Sequence, residues 1–335
     1  MTIDFFKTII DLNGQELKYK QIEDAITAAI MEGKIQHGEI LPSVNDMCKG
    51  CGLSRDTIYK AYTNLKKLGY IESVPNRGYF VSKPEDRVFI MLDTFKAYKE
   101  VLYHSFRQAL PENMPIDIRF HHYNINVFDT AIKESAGRYS KYVIMNFDHP
   151  RVEKIIQKIP KEKLLLIDWN IHAIEGVSRI WQDFGQEVYN ALSANIDSIR
   201  KYQKFIFLYP QFTDHPRETV DFFNKFCTDF AINGQILYST NDFDIKFGEA
   251  YFLVSDRTLA MFLDQCHDKG LVPGKSVGVI SFNETPMKKY VYGGISVLST
   301  DFSLMGRKAA ELIMHPSTCP TDIKIPTNLI KRNSL

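Results

Sequence analysis

Between residues 87 and 300, short apolar runs alternate with amphipathic stretches long enough for one helix each. The runs fall at 88–92, 116–120, 142–145, 164–167, 205–208, 235–238, 251–254 and 277–280. They are rich in Val, Ile, Leu and Phe and lack polar alternation, the pattern of parallel strands covered on both faces. Strand and helix in turn are the grammar of repeated βαβ units, so the expected class is α/β with parallel sheets. A length of 335 residues gives room for a second domain, at about 150 residues per domain. No apolar run approaches the roughly 18–20 residues of a membrane span. The start, MTIDFFKTIID, carries acids and lacks the long apolar core of an export signal. Five cysteines, an odd number, fit reduced thiols and a cytoplasmic chain.

Residues 15–70 follow a different grammar. In 19–32 the apolar positions Ile22, Ala25, Ile26, Ala29 and Ile30 line one face of a helix that Gly33 ends. Ser43 is placed to cap a second helix, with Val44, Met47 and Cys48 facing inward. Gly50-Cys51-Gly52-Leu53 reads as a tight turn. Ser54 then caps a third helix over 55–68, with Ile58, Ala61, Tyr62, Leu65 and Leu68 on its apolar face. Two helices across a glycine turn make a helix-turn-helix. The runs 70–73 and 79–81, joined through Val74-Pro75-Asn76-Arg77-Gly78, add a β-hairpin wing. Polar residues 82–86, with Pro84, form the expected linker, dividing the chain into a head at 1–83 and a body at 84–335.

The whole chain is nearly neutral, with 41 Lys+Arg against 40 Asp+Glu, so a nucleic-acid surface has to be local. Residues 34–83 supply it: Lys34, Lys49, Arg55, Lys60, Lys66, Lys67, Arg77 and Lys83 outnumber Glu39, Asp46, Asp56 and Glu72. Ser54, Arg55, Thr57, Tyr59 and Lys60 sit in the first turns of the third helix, where a recognition helix places its donors. The same residues also fit a solvated face of a small helical subdomain.

Residues 19–82 resemble the GntR-type winged helix-turn-helix. The resemblance rests on Tyr19-Lys20-Gln21-Ile22, Gly38-Glu39-Ile40-Leu41-Pro42-Ser43, Leu53-Ser54-Arg55-Asp56-Thr57-Ile58, Leu65-Lys66-Lys67-Leu68-Gly69-Tyr70-Ile71 and Gly78-Tyr79-Phe80-Val81. It implies a phosphate contact for Ser43, major-groove positions for Arg55 and Thr57, and a minor-groove wing tip at Arg77-Gly78. Two departures, Val44-Asn45 after Leu-Pro-Ser and Tyr59 where the family frequently has an Arg in the recognition helix, open a reading role to Asn45 and Tyr59.

The body resembles the LacI-type effector domain, built like a two-lobed periplasmic sugar-binding protein. The match is carried by Tyr251-Phe252-Leu253-Val254-Ser255-Asp256, Val277-Gly278-Val279-Ile280-Ser281-Phe282-Asn283, Ser299-Thr300-Asp301, Met305-Gly306-Arg307 and Ile325-Pro326-Thr327-Asn328. A GntR head on a LacI-type body is the layout of the arabinose-responsive repressors. In such a body, ligands sit at the carboxyl ends of strands in an inter-lobe cleft. The strand-end candidates are Asp93, Phe95, Lys96, His122, Tyr123, Asn146 and Asp148 in the first lobe, and Arg217, Asp256 and Asn283 in the second. Asp183 stands where the chain enters the helix between lobes. Each Asp or Asn here also suits a helix cap, and Phe95 and Tyr123 also suit core packing.

Signals of chemistry are weak. Cys48-Lys49-Gly50-Cys51 has no second ligand pair for zinc and reads as buried thiols. His121-His122 lacks a carboxylate at ligand spacing. The sequence has no HExxH, Walker A or GxGxxG motif. Asp183 and Asp256 could mimic a glycosidase pair, but the resemblance makes them hydroxyl acceptors. The resemblance therefore implies a homodimeric, sequence-specific regulator without cofactor, metal or membrane. It would repress a carbohydrate-utilisation operon and leave its operator when a small sugar, a pentose or deoxyhexose, binds. The alternatives are a ligand-dependent activator or co-repressor type, and a sugar-modifying enzyme with a non-DNA-binding head.

Overall fold

The computed structural model describes every residue except 1, 2, 13, 76, 84, 170–173 and 318. In the head, α1 (Ile3–Ile9) precedes α2 (Lys18–Met31), α3 (Val44–Cys51) and α4 (Arg55–Lys67), followed by the antiparallel hairpin β1 (Ile71–Val74) and β2 (Gly78–Val81). The expected apolar face of α2 is buried, and Ile22, Ile26, Met47, Ile58, Tyr62 and Leu65 share one core. Ser43 and Ser54 cap as expected, accepting from the backbone N–H of Asp46 and Thr57 respectively, each cap contributing about 1 kcal/mol.

Three expectations need correction. The turn between α3 and α4 starts later than Gly50-Cys51-Gly52-Leu53, because α3 runs on through Cys51 and ends at Gly52, at φ +66°, leaving Gly52-Leu53-Ser54 between the helices. Cys51 is buried while Cys48 is only half-buried. The linker is also shorter, since Glu85 and Asp86 already belong to strand β3 (Glu85–Leu92). Pro84 of that linker and Asn76 of the wing turn lie outside the described residues.

The body holds two six-stranded sheets. The first contains β3, β4 (Ile116–Phe120), β5 (Tyr139–Met145), β6 (Leu164–Trp169), β7 (Ser178–Gln182) and β13 (Asp322–Lys324), in the order β13-β7-β6-β5-β3-β4. The second contains β8 (Lys204–Leu208), β9 (Gly234–Leu237), β10 (Glu249–Leu253), β11 (Gly278–Phe282), β12 (Ser296–Thr300) and β14 (Thr327–Ile330), in the order β14-β12-β11-β10-β8-β9. β3 pairs in parallel with both β4 and β5, and β8, β10, β11 and β12 run parallel in series, with β14 antiparallel at the edge.

The helices are α5 (Ala97–Gln108), α6 (Ile125–Ser135), α7 (Val152–Ile156), α8 (Gln186–Ser193), α9 (Ile196–Ile199), α10 (Glu218–Asp229), α11 (Asp256–Asp268) and α12 (Phe302–Met314). All eight expected strands exist, each shifted by at most three residues at an end. β7, β12, β13 and β14 were not among them; in β7, Ser178-Arg179-Ile180-Trp181-Gln182 breaks the apolar run with polar residues.

By proximity the chain forms two compact units. One holds the described residues of Met1–Thr94, Pro111–Leu165 and Ile171–Ser178; the other holds those of Phe95–Leu110, Leu166–Asn170 and Arg179–Leu335. The head therefore shares a unit with β3, β4 and β5.

Candidate functional site

The candidate surface on α4 and the wing is built by capping and packing. Ile58, Ala61, Tyr62 and Leu65 bury one face of α4, so Arg55, Tyr59 and Lys60 project from the opposite face. Tyr59 is 58% exposed, unusual for an aromatic on a well-packed helix. The Ser54 hydroxyl accepts from Thr57 N–H at 3.2 Å and lies 2.8 Å from Thr57 Oγ1, so both hydroxyls are tied into the cap. Ser43 is similarly held, donating to Asp46 Oδ2 at 2.6 Å. Lys60 Nζ rests 3.9 Å above the Tyr19 ring. Asn45 is exposed. At the wing tip Arg77 and Gly78 are both exposed, and Gly78 holds φ +101°, which favours glycine. Tyr62 anchors the surface by donating to Pro42 O at 2.8 Å.

In the first unit, three adjacent parallel strands each end in one buried polar residue: Asp93 after β3, His121 after β4 and Asn146 after β5. Tyr123 donates to Asp93 Oδ2 at 2.5 Å. The Tyr123 N–H donates to His121 Nδ1 at 3.1 Å, which leaves the proton on Nε2, and that nitrogen donates to Met145 O at 3.1 Å. His121 stacks on Phe147 with centroids 4.6 Å apart. Asn146 is 2% exposed, and neither end of its carboxamide finds a hydrogen-bond partner among the described residues. A buried unpaired amide costs about 1–3 kcal/mol, which marks Asn146 as a candidate ligand contact. The structure thus groups Asp93, Tyr123 and Asn146. Sequence reading set His121-His122 aside as a metal pair and left them a cleft or loop role; the structure places His121, directly after an apolar run, beside Tyr123.

In the second unit the candidates spread out. Ser255 and Thr258 form a capping box for α11, and Asp256 in its first turn pairs with Lys288 at 2.8 Å. Lys288 is buried and also donates to Phe282 O and Asn283 O; burial pushes its ammonium below the ordinary lysine value, against the pull of Asp256. Asn283 adopts φ +63° and its buried Oδ1 has no hydrogen-bond partner among the described residues. Asp183 accepts from Gly185 N–H at 2.8 Å and lines a hollow of about 310 Å³ with Trp169, Trp181 and Phe222. Arg217 is exposed at the start of α10. Phe95 is 78% exposed. Lys96 is the residue before α5.

A buried charge cluster was not foreseen. Lys99, only 2% exposed, sits on the apolar face of α5 with Leu102 and Phe106. Burial pushes it down to about 8, against the attraction of Asp168 and Asp214. Asp168, also buried, is pushed up by desolvation and accepts from Gln182 Nε2. His215, held between Phe184 and Phe282, is pushed down to about 3 by burial and by Lys96, and so stays neutral. The signal for Lys99 was a cation on an otherwise apolar helix face.

Comparison with known proteins agrees with this architecture. Residues 18–81 match the family described as bacterial regulatory proteins, gntR family. Residues 232–335 match the periplasmic binding protein-like domain. The HTH-type transcriptional regulator GalR of Streptococcus thermophilus is 27% identical over 131 residues, 33% of this chain and 40% of that protein. The chain thus spans less than half the length of this relative. The uncharacterized HTH-type transcriptional regulator YhcF of Bacillus subtilis is 30% identical over 84 residues, 25% of this chain and 68% of that protein. Among solved structures, a periplasmic binding protein/LacI transcriptional regulator from Alkaliphilus metalliredigens, complexed with D-xylulofuranose, superposes with a TM-score of 0.60 at 11% identity, covering 75% of this chain and 99% of that one.

Proposed function

This chain belongs to the gntR family of bacterial regulatory proteins through its head and carries a periplasmic-binding-protein-like domain behind it, and we propose that it is a DNA-binding transcriptional regulator whose hold on an operator is set by a small sugar. The head, residues 1–83, reads the duplex. Arg55 and Thr57 face the major groove with Asn45, Tyr59 and Lys60 beside them; Ser43 and Ser54 meet phosphates, and Arg77-Gly78 enters the minor groove. The body, residues 84–335, pairs two copies on a palindrome and holds the effector. It acts in the cytoplasm, as a repressor released by its sugar.

The observation that carries the effector half is the buried Asn146 amide without a partner, beside Asp93 and Tyr123 at neighbouring strand ends. A carboxamide, a carboxylate and a phenol offer donors and acceptors to the hydroxyls of an uncharged sugar. In the other unit, taken by itself, Asp183, Asn283 and Arg217 remain candidate polar contacts and Phe95 a candidate aromatic one, while Asp256 is engaged by Lys288. The likeness to a regulator solved with D-xylulofuranose supports this ligand class.

Two measurements test the reading. In a mobility-shift assay on a duplex from upstream of the chain's own gene, Arg55→Ala should weaken binding by about 1–3 kcal/mol. Unchanged binding would remove α4 as the reading element. In a thermal-shift panel of D-xylulose, L-arabinose, L-fucose, D-galactose and their phosphate esters, a sugar at 100 times its Kd should add about 2.7 kcal/mol of stability. A tenfold change in operator affinity then requires about 1.4 kcal/mol of coupling. Turnover of any of these sugars would favour an enzyme instead.

A further inference from the structure

We propose that α6 is the rod carrying the effector signal to the reading head, with the Tyr70 hydroxyl as its coupling; this rests on the reading of the chain as a sugar-responsive regulator. The two ends of one helix meet the two machines. At its start, Asn124 caps α6, accepting from the N–H groups of Asn126 and Val127. Phe128, fully buried on its first turns, packs edge-on against His121 and Phe147, at 5.5 and 5.6 Å between centroids. The helix therefore begins on the cluster that contains Asp93, Tyr123 and Asn146.

At its far end, the Tyr70 hydroxyl donates to Lys133 O at 3.1 Å and Glu134 O at 3.3 Å, two of the last carbonyls of α6. These are groups that a helix terminus leaves unsatisfied. Tyr70 is 4% exposed. A Cβ on Gly137, just past the helix, would meet Ile30 Cγ2 of α2 at 3.1 Å and the Tyr70 ring at 3.7 Å, so head and lobe are in direct contact there. The Tyr70 N–H in turn donates to Leu65 O at 2.9 Å, in the last turn of α4. A displacement of the α6 terminus thus reaches the recognition helix through one residue.

The helix is suited to move as a body. Its 11 residues span about 16 Å at 1.5 Å each. Asp129 pairs with Lys133 one turn on and with Arg151 and Lys158 on either side of α7, all within 3.6 Å, so α6 would move together with α7 as one block. The hinge lies at its start. His122 and Tyr123 hold φ +49° and +56°, left-handed values that non-glycine residues keep only while their surroundings over-determine them. The Tyr123–Asp93 bond is one such restraint. A sugar hydroxyl competing for Asp93 loosens that restraint, and α6 shifts with the relaxing turn.

Coupling between sites is reciprocal, so operator binding must be felt at the strand ends without any sugar present. Hydrogen exchange on the full chain, with and without the upstream duplex, reads this directly. In the wild type the duplex should slow exchange in the α4 segment and change it about threefold or more over residues 121–135. Tyr70→Phe keeps the ring against Gly137 and removes the bond to α6; α4 should still be protected while the 121–135 response disappears. Phe128→Leu, at the opposite end of the rod and away from the head, should uncouple the segments in the same way. Protection of α4 with no wild-type response at 121–135, or a response that survives both substitutions, overturns the rod and leaves the regulator reading standing. No protection of α4 in the wild type overturns both.

Discussion

Asn146 sets the residue scale. Its carboxamide is enclosed yet bonded to nothing described in the chain, so folding bears the cost of drying it without the return of a hydrogen bond. Asn146→Leu, similar in volume, should leave the thermal midpoint unchanged or raise it, because no bond is lost. The same substitution should weaken the sugar that stabilises the wild type by about tenfold or more, as a buried donor–acceptor pair is removed. A fall of several degrees in the midpoint would mean that the amide is structural. That Asn146 follows an apolar run was visible in the sequence; that it lacks a partner was not, because neighbours from three strands decide it. Asp256 shows the converse. It was matched to the family residue by residue, as Asn146 was not, and the structure pairs it with the buried Lys288.

At the scale of elements, helix caps and apolar faces were legible because they depend on neighbours one to four residues away. Ser43, Ser54 and the faces of α2 and α4 all follow from spacing. How elements approach one another was not legible. Gly306 on α12 lies so close to α5 that a Cβ there would come within 2.3 Å of Leu102 O and 2.9 Å of Phe106 N. Beside it, the Tyr98 and Phe302 rings meet at a tilt of 37° with centroids 4.6 Å apart, and Ser105 lies 2.9 Å from Ser303. Gly306→Ala should raise intrinsic helix propensity and still destabilise the protein by about 1–3 kcal/mol through overpacking. Urea unfolding monitored by circular dichroism checks this; an increase in stability would show that the two helices can part at little cost.

At the scale of the whole molecule, the chain passes from one six-stranded sheet to the other three times: after β7, after β12 and between β13 and β14. Gln182, Thr300 and Thr327 stand at these passages. Thr300 Oγ1 donates to Gln182 Oε1 at 2.8 Å and lies 2.7 Å from Thr327 Oγ1. Gln182 extends the network to Asp168, which Lys99 balances electrostatically. Removing that cation with Lys99→Met should leave stability at neutral pH unchanged or raise it, because burial penalises the ammonium by more than Asp168 and Asp214 attract it. The pH dependence has a definite sign. Lys99 holds its proton less tightly folded than unfolded, so from about pH 8 to about pH 10 the unfolded chain binds more protons and stability rises with pH. Urea midpoints should show this rise in the wild type and its absence in Lys99→Met; equal slopes would place the lysine in water.

The sequence by itself determined the class of each element, the winged head and the βαβ body, because the periods of apolar side chains and the chemistry of caps are local. Only the tertiary structure decided which polar groups are buried, which of them are paired, and that Tyr70 reaches a helix 63 residues further on. Those outcomes depend on residues far apart in the chain, such as Gln182 and Thr300, 118 positions from each other, and no periodicity records what a fold brings together.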